Sequence, residues 1–291
     1  MTPLRTKALG LLGCLVVAGS LSACGGGFSA AQAPPPDPKI HSYVALGDGY
    51  TAAPYTAGTV SDDGCLRSVK DYPALVAADL GINDVRDVSC TGATTDALTK
   101  KFKPGKGKPE VPAQIDAVSA DTDLITVGMG IEDGDLLHEM FAVCAAQPCA
   151  PGTTYYTQVL DDLNRSADAF TAALRQIQDK APQAYLVVVG YPRLTPAPDA
   201  GCGAFPQQTI QGRDVPNYVL DQVNGKLESA ARQTGAAYVD VASLSADHVL
   251  CSDEPWVQGM KAKPGKVVPY HPVEAEQRAV ADQILSQLKE R

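Results

Sequence analysis

Five short apolar runs alternate with amphipathic stretches along this chain, and that alternation restricts the fold more than any other feature. The runs are Ser42–Leu46, Val85–Ser89, Leu124–Met129, Ala184–Gly190 and Ala237–Val241. They are rich in Val, Ile, Leu and Ala and short enough to be strands buried on both faces. The stretches between and after them fit helices at Tyr72–Leu80, Thr95–Thr99, Asp133–Ala145, Thr154–Lys180, Pro216–Thr234 and Pro272–Lys289. Gly81 and Gly235 follow two of these as stop signals, and Pro272 suits a first-turn position. Strand and helix in alternation predict an α/β fold: a three-layer α/β/α sandwich on a mostly parallel five-stranded sheet, flavodoxin-like in type. Ligands of such sheets bind beyond the carboxyl ends of the strands. Three segments therefore share one rim: Asp48-Gly49, Thr91-Gly92 and Gly130-Ile131-Glu132-Asp133.

The first 40 residues stand apart from this pattern. Arg5 and Lys7 precede an apolar stretch from Ala8 to Ala23, too short for a comfortable membrane span. It ends Leu21-Ser22-Ala23-Cys24, which resembles a bacterial lipobox. Residues 1–23 are expected to be a lipoprotein signal peptide. Cys24 would take a diacylglyceryl group and become the mature N-terminus, anchoring the chain to the membrane and placing it on the outer face of the cell envelope. An ordinary secretory cleavage site is the alternative. Residues 24–40 then form a lipidated tether, flexible at Gly25-Gly26-Gly27 and extended at Pro34-Pro35-Pro36. Residues 41–291 form one domain.

Charge narrows the partners. The net charge of -9 becomes -11 once Arg5 and Lys7 leave with the leader. Nucleic-acid binding needs clustered cations, so no nucleic acid is expected. Lys100, Lys101, Lys103, Lys106 and Lys108 form the one basic cluster. It reads as a solvated loop or as a contact for anionic lipid headgroups. Once Cys14 and Cys24 are set aside, Cys65, Cys90, Cys144, Cys149, Cys202 and Cys251 remain. An even number in an exported chain points to disulfides, and six cysteines allow 15 pairings. Metal ligation is disfavoured, because there is no Cys-x-x-Cys pair and the four histidines are scattered. No metal or cofactor is expected.

The order of four blocks resembles the SGNH hydrolases, the GDSL esterases and lipases, and most closely their secreted bacterial branch. Tyr43–Tyr50 is similar to the first block and Cys90–Thr95 to the second. Leu124–Asp133 is similar to the third, and Tyr270-His271-Pro272 to the last. Cys65-Leu66-Arg67-Ser68, Gly190-Tyr191-Pro192-Arg193, and His248 with Cys251 and Trp256 also fit. The resemblance implies sequential disulfides, Cys65–Cys90, Cys144–Cys149 and Cys202–Cys251, each stabilising by about 2–4 kcal/mol. It also implies acyl transfer, in which a serine attacks the ester, a histidine takes its proton and N–H groups hold the oxyanion.

Position by position, the chain departs from that pattern. Gly49 stands at the nucleophile and has no oxygen. Gly92 matches the oxyanion glycine, and the backbone of Gly49 shares that hole. Glu132 replaces the oxyanion asparagine. His271 matches the base, and Val268 replaces the aspartate three residues before it, a role that a backbone carbonyl can fill. Asp48 and Asp133 support the turns. Loss of such a nucleophile costs about 10⁶ in rate. Loss of one oxyanion donor costs about 2.7–4 kcal/mol, and an ionised carboxylate nearby adds up to about 4 kcal/mol of repulsion at an effective dielectric of 20. Each residue also has a structural reading: His271 as packing or a cap for the following helix, Glu132 as a carboxylate at a helix start, and the two as an ion pair. Trp256 reads as loop packing. The expected function is an impaired, anchored SGNH protein that binds a lipid, an acyl ester, an acylated glycan or an envelope partner. The alternatives are an ester hydrolase in which His271 and Glu132 activate water, and a structural envelope lipoprotein.

Overall fold

The first strand, β1 (Ser42–Gly47), is buried along its whole length, and its pleat divides the protein into two cores. Val44 and Leu46 pack into one, and Tyr43 and Ala45 into the other. This is the period-2 division expected of a strand covered on both faces. The computed structural model describes residues 40–59, 63–136, 154–197, 202, 209–210, 213–259 and 268–291. The lipobox Cys24, the leader, the tether up to residue 39 and the Cys144–Cys149 pair lie outside these. Ile40–Arg291 is one compact unit.

After β1 come the short helix α1 (Gly49–Ala52), α2 (Tyr72–Leu80), β2 (Asp84–Asp87), β3 (Leu124–Gly128) and α3 (Thr154–Lys180). Then follow β4 (Tyr185–Val189), β5 (Thr209–Ile210), β6 (Arg213–Asp214), α4 (Val215–Thr234), β7 (Ala237–Val239), α5 (Val241–Leu244) and α6 (Glu274–Lys289). The main sheet has the order β2-β1-β3-β4-β7, and every pair in it is parallel. Strands β5 and β6 form a separate antiparallel hairpin. This is the flavodoxin-like order, whose direction of winding reverses between β1 and β3. Register there is Val44 with Ile125 and Leu46 with Val127, so both strands end together at the rim.

Helices α3 and α4 pack together, and so do α2 and α6. Phe170, Leu174, Ile177 and Val223 join the core on the Val44 side, and Val76, Val280 and Ile284 join the Tyr43 side. Both faces of the sheet are thus covered, as the alternation predicts.

Several boundaries differ from the sequence reading. The second strand ends at Asp87, because the Asp87 carboxylate accepts from Ser89 N and turns the chain. The stretch Thr95–Thr99 is a 3-10 turn, Thr95–Leu98. The expected Asp133–Ala145 helix opens as a 3-10 turn, Asp133–Asp135, with Gly134 in left-handed geometry; residues 137–153 lie outside the described part. Pro272 is not in the first turn of α6. It pairs with Val257 in an isolated bridge, and the helix begins at Glu274 with Val273 as its N-cap. Among the described residues two disulfides occur, Cys65–Cys90 and Cys202–Cys251, which fits an exported chain.

Candidate active site

The turn after β1 is built from both sides. A Cβ on Gly47 would lie 2.1 Å from Thr51 Oγ1 and 2.7 Å from the Gly128 carbonyl, so the first helical turn presses directly onto the strand end. The side-chain amide of Gln114 clamps Gly47 from the other side. It accepts from Gly47 N at 2.8 Å and donates to Gly47 O at 2.9 Å. Asp48 N donates to Gly128 O at 3.0 Å, tying the turn to β3. The Asp48 carboxylate then N-caps α1 through Tyr50 N at 2.9 Å. This delivers Gly49 to the rim at the first position of the helix, where a side chain would project into the site.

That space is filled by His271. A Cβ on Gly49 would lie 2.4 Å from His271 Nε2 and 2.9 Å from its Cδ2. The ring sits where a nucleophilic side chain would begin. Its Nδ1 is 3.0 Å from the Pro269 carbonyl. A carbonyl only accepts, so Nδ1 carries the proton and Nε2 presents a lone pair towards Gly49. Nε2 is buried and has no hydrogen-bond partner among the described residues. Burial pushes the imidazole down to about 4, and the Pro269 bond only partly opposes this. At neutral pH His271 is therefore an uncharged ring.

The loop that carries the ring is held firmly. Tyr270 adopts left-handed backbone (φ 61°), an uncommon state for a tyrosine. Its carbonyl accepts from the Tyr50 hydroxyl at 2.5 Å. The Tyr50 ring stacks on His271 with centroids 5.5 Å apart and meets Tyr191 edge-on. Gln277, at the start of α6, donates to Tyr50 O and accepts from Tyr72 N. Beside it Glu276 is buried, and burial raises its carboxyl to about 8.

Two acidic residues shape the other wall. Asp48 is fully buried and its second oxygen accepts from the Tyr191 hydroxyl at 2.5 Å. Burial raises it to about 7 against the opposing effect of that bond, and the charge of Glu132 adds to the rise. Glu132 is itself raised to about 7, first by burial and then by Asp135 and Asp133. The repulsion expected from the sequence holds for an ionised Glu132; burial brings its neutral acid form into reach near neutral pH. Asp133 accepts from Thr95 N at 2.7 Å and from Thr95 Oγ1 at 2.6 Å. It therefore fastens the third block to the second.

Gly92 lies on the same rim in left-handed geometry (φ 79°), and its N–H has no partner among the described residues. Thr91 anchors this turn through N and Oγ1 to the Cys65 carbonyl, and the Cys65–Cys90 bond holds it.

The fold thus gathers Asp48, Gly49, Gly92, Glu132, Asp133 and His271. The proposed Glu132–His271 ion pair is absent, because the ring's polar contact is the Pro269 carbonyl. Val268 serves only by accepting from His271 N at 3.2 Å; the orienting carbonyl belongs to the next residue. Trp256 is half-buried and stacks on His248, with centroids 4.3 Å apart. Sequence reasoning missed Gln114, Gln277 and Glu276, whose roles are buried contacts with no local signature. Tyr191 lies in the Gly190–Arg193 stretch, whose sequence does not announce the bond to Asp48.

A parallel sheet that brings Asp48-Gly49, Gly92 and His271 to one rim has the framework of the ester hydrolases it resembles, without a serine at position 49. The chain belongs to the GDSL-like lipase/acylhydrolase family, whose model matches residues 45–279. It is 30% identical over 266 residues to Lipase 2 of Streptomyces coelicolor, covering 84% of this chain and 85% of that one. It is also similar to the solved extracellular lipase of Streptomyces rimosus (TM-score 0.67, 27% identity, 85% of this chain and 99% of that chain). A similar match is phospholipase A1 of Streptomyces albidoflavus (TM-score 0.66, 26% identity, 85% and 99%).

Proposed function

We propose that this protein is an exported, lipid-anchored member of the family that binds an acyl-bearing ligand and has lost ester hydrolysis. One observation carries the reading: the histidine ring occupies the space of the missing nucleophile, with Nε2 2.4 Å from a Cβ position on Gly49. A serine-less site could still work if its histidine faced water. Here Nε2 is buried, so activation of water requires the ring to swing out against its Tyr50 stack and Pro269 bond. The second departure acts in the same direction, because Glu132 in its ionised form opposes an oxyanion. The names of its relatives, two lipases and a phospholipase A1, favour a lipid over a glycan or a protein as ligand. The Cys24 lipobox supports anchoring at the outer face of the membrane.

The test is p-nitrophenyl butyrate hydrolysis by the Ile40–Arg291 unit beside His271→Ala. Equal rates at the buffer blank, with a rise in melting temperature on adding lysophospholipid, are expected. A rate that collapses in His271→Ala would establish a serine-free hydrolase and overturn the reading. Absence of stabilisation by any acyl lipid would overturn the binding half.

A further inference from the structure

A second lipid-compatible feature lies away from Gly49, on the β2 side of the sheet. Phe102 and Val111 pair through both backbone hydrogen bonds, at 3.0 and 2.7 Å, and close the loop 103–110 into a hairpin. All five lysines of the basic cluster are on or beside this hairpin, and all are exposed. Lys100 pairs with Asp96 and Lys101 with Glu110. Lys103, just past the Phe102 pair, and Lys106, in the turn, have no ion-pair partner among the described residues. The hairpin is therefore a fixed cationic projection on a chain whose net charge is -9.

It also lies against a cavity. A Cβ on Gly64 would meet Lys108 Cγ at 2.8 Å and Pro104 Cβ at 3.2 Å, so the hairpin rests on the segment around Cys65. Beside it is a space of about 300 Å³, lined mainly by apolar atoms of Val88, Val111, Pro112, Ala113 and Ala117 and the Cys65 bridge, with the Arg67–Asp63 ion pair and Asp116 as its polar lining. That volume is at the lower end for small-molecule sites. Val111 belongs to both features, as wall of the cavity and base of the hairpin.

We propose that the hairpin and cavity together dock an anionic phospholipid of a membrane surface. One acyl chain enters the apolar cavity, and Lys103 and Lys106 face the phosphate. An apolar slot alone would take any chain and a lysine loop alone would take any anion. Their junction at Val111 selects a molecule with both. The proposal is independent of whether the Gly49 site hydrolyses or binds: the lysine and Ala117 changes below leave that site intact, so lipid binding that survives them belongs to Gly49 and binding that is lost belongs here.

The test is co-sedimentation of the Ile40–Arg291 unit with vesicles of phosphatidylcholine, or of phosphatidylcholine mixed equally with phosphatidylglycerol. Binding to the mixed vesicles only, weakening with salt, is expected. At about fivefold per lysine near an anionic surface, removing both charges in Lys103→Gln/Lys106→Gln should lower affinity about 25-fold. Both side chains are exposed, and circular dichroism checks that the variant folds. Ala117→Phe fills the cavity and should abolish binding of soluble dihexanoyl-phosphatidylglycerol while vesicle binding retains its salt dependence. Equal binding to both vesicle types, or an unaffected double variant, overturns the proposal. Full competition by glycerol phosphate would overturn the acyl-chain part and leave a phosphate site only.

Discussion

Acidification from pH 6 to pH 5 should stabilise this protein, against the usual trend for an acidic chain. The reason is that burial has shifted several carboxyls upwards and one imidazole downwards. Asp48 and Glu132 stand at about 7, Glu276 at about 8 and Asp71 at about 9, whereas the unfolded values are about 4; Asp87 and Asp133 are raised in the same direction. A raised acid keeps its proton in the folded state after the unfolded chain has lost it. Its contribution is fully present below pH 4 and is lost as pH rises towards the folded value. His271 has the opposite sign. Its folded value of about 4 lies below the unfolded value of about 6.5, so its contribution is present above pH 6.5 and lost as pH falls. Between pH 5 and 6 Asp48, Glu132, Glu276 and Asp71 add nearly four protons to the folded state and the histidine removes nearly one. The folded state thus holds about three extra protons, and stability changes by about 4 kcal/mol per pH unit. For a unit of this size that is about 8–16 °C in melting temperature. Thermal melts of the Ile40–Arg291 unit at pH 5.0, 5.5 and 6.0 measure it directly. Glu276→Gln keeps the shape of a buried side chain and removes one of the protons, so the slope should fall by about a third. A melting temperature that is flat or rises with pH over this window refutes the buried-acid account, and an unchanged slope in Glu276→Gln removes Glu276 from it.

Three other perturbations test the site. Gly49→Ser puts a side chain where His271 now sits, and should cost about 1–3 kcal/mol of stability in urea unfolding as the ring is displaced. Combined with Glu132→Asn it should gain p-nitrophenyl butyrate hydrolysis above wild type. In Gly49→Ser alone, any activity should decline as pH rises through 7, because Glu132 then ionises; the Glu132→Asn background should lack that limb of the pH profile. Asp133→Ala leaves the backbone N–H and hydroxyl of Thr95 without their acceptor and should destabilise by about 1–3 kcal/mol per buried group left unpaired, read by urea unfolding. Replacing Cys65 and Cys90 by serine should cost about 2–4 kcal/mol and raise hydrogen exchange at Thr91, whose N–H is fastened to Cys65.

Much of the frame was legible because parallel strands advertise themselves. The run Tyr43–Leu46 has no polar residue, and a strand with that composition must be covered on both faces, which fixes helices above and below it. The three rim segments followed from the ends of those runs alone. Boundaries were less legible where a single side chain overrides the pattern. Asp87 captures Ser89 N and ends β2 early, and Pro272 joins a bridge to Val257 instead of opening α6. The site divides in the same way. That Gly49 lacks an oxygen is a fact of the sequence. That the vacancy is filled depends on a loop more than 200 residues away and on the Tyr50–Tyr270 contact that sets its height. The protonation of Glu132 was illegible for a related reason. A glutamate is an anion by default, and only the depth at which β3 delivers it, next to Asp133 and Asp135, makes the neutral acid competitive at pH 7. A neutral Glu132 can donate a hydrogen bond, as the lost asparagine would have done, so the two departures from the family pattern are not equal. The one at position 132 is conditional on pH and the one at position 49 is not. The proposed loss of ester hydrolysis therefore rests on the glycine and on the histidine ring that fills its side-chain space.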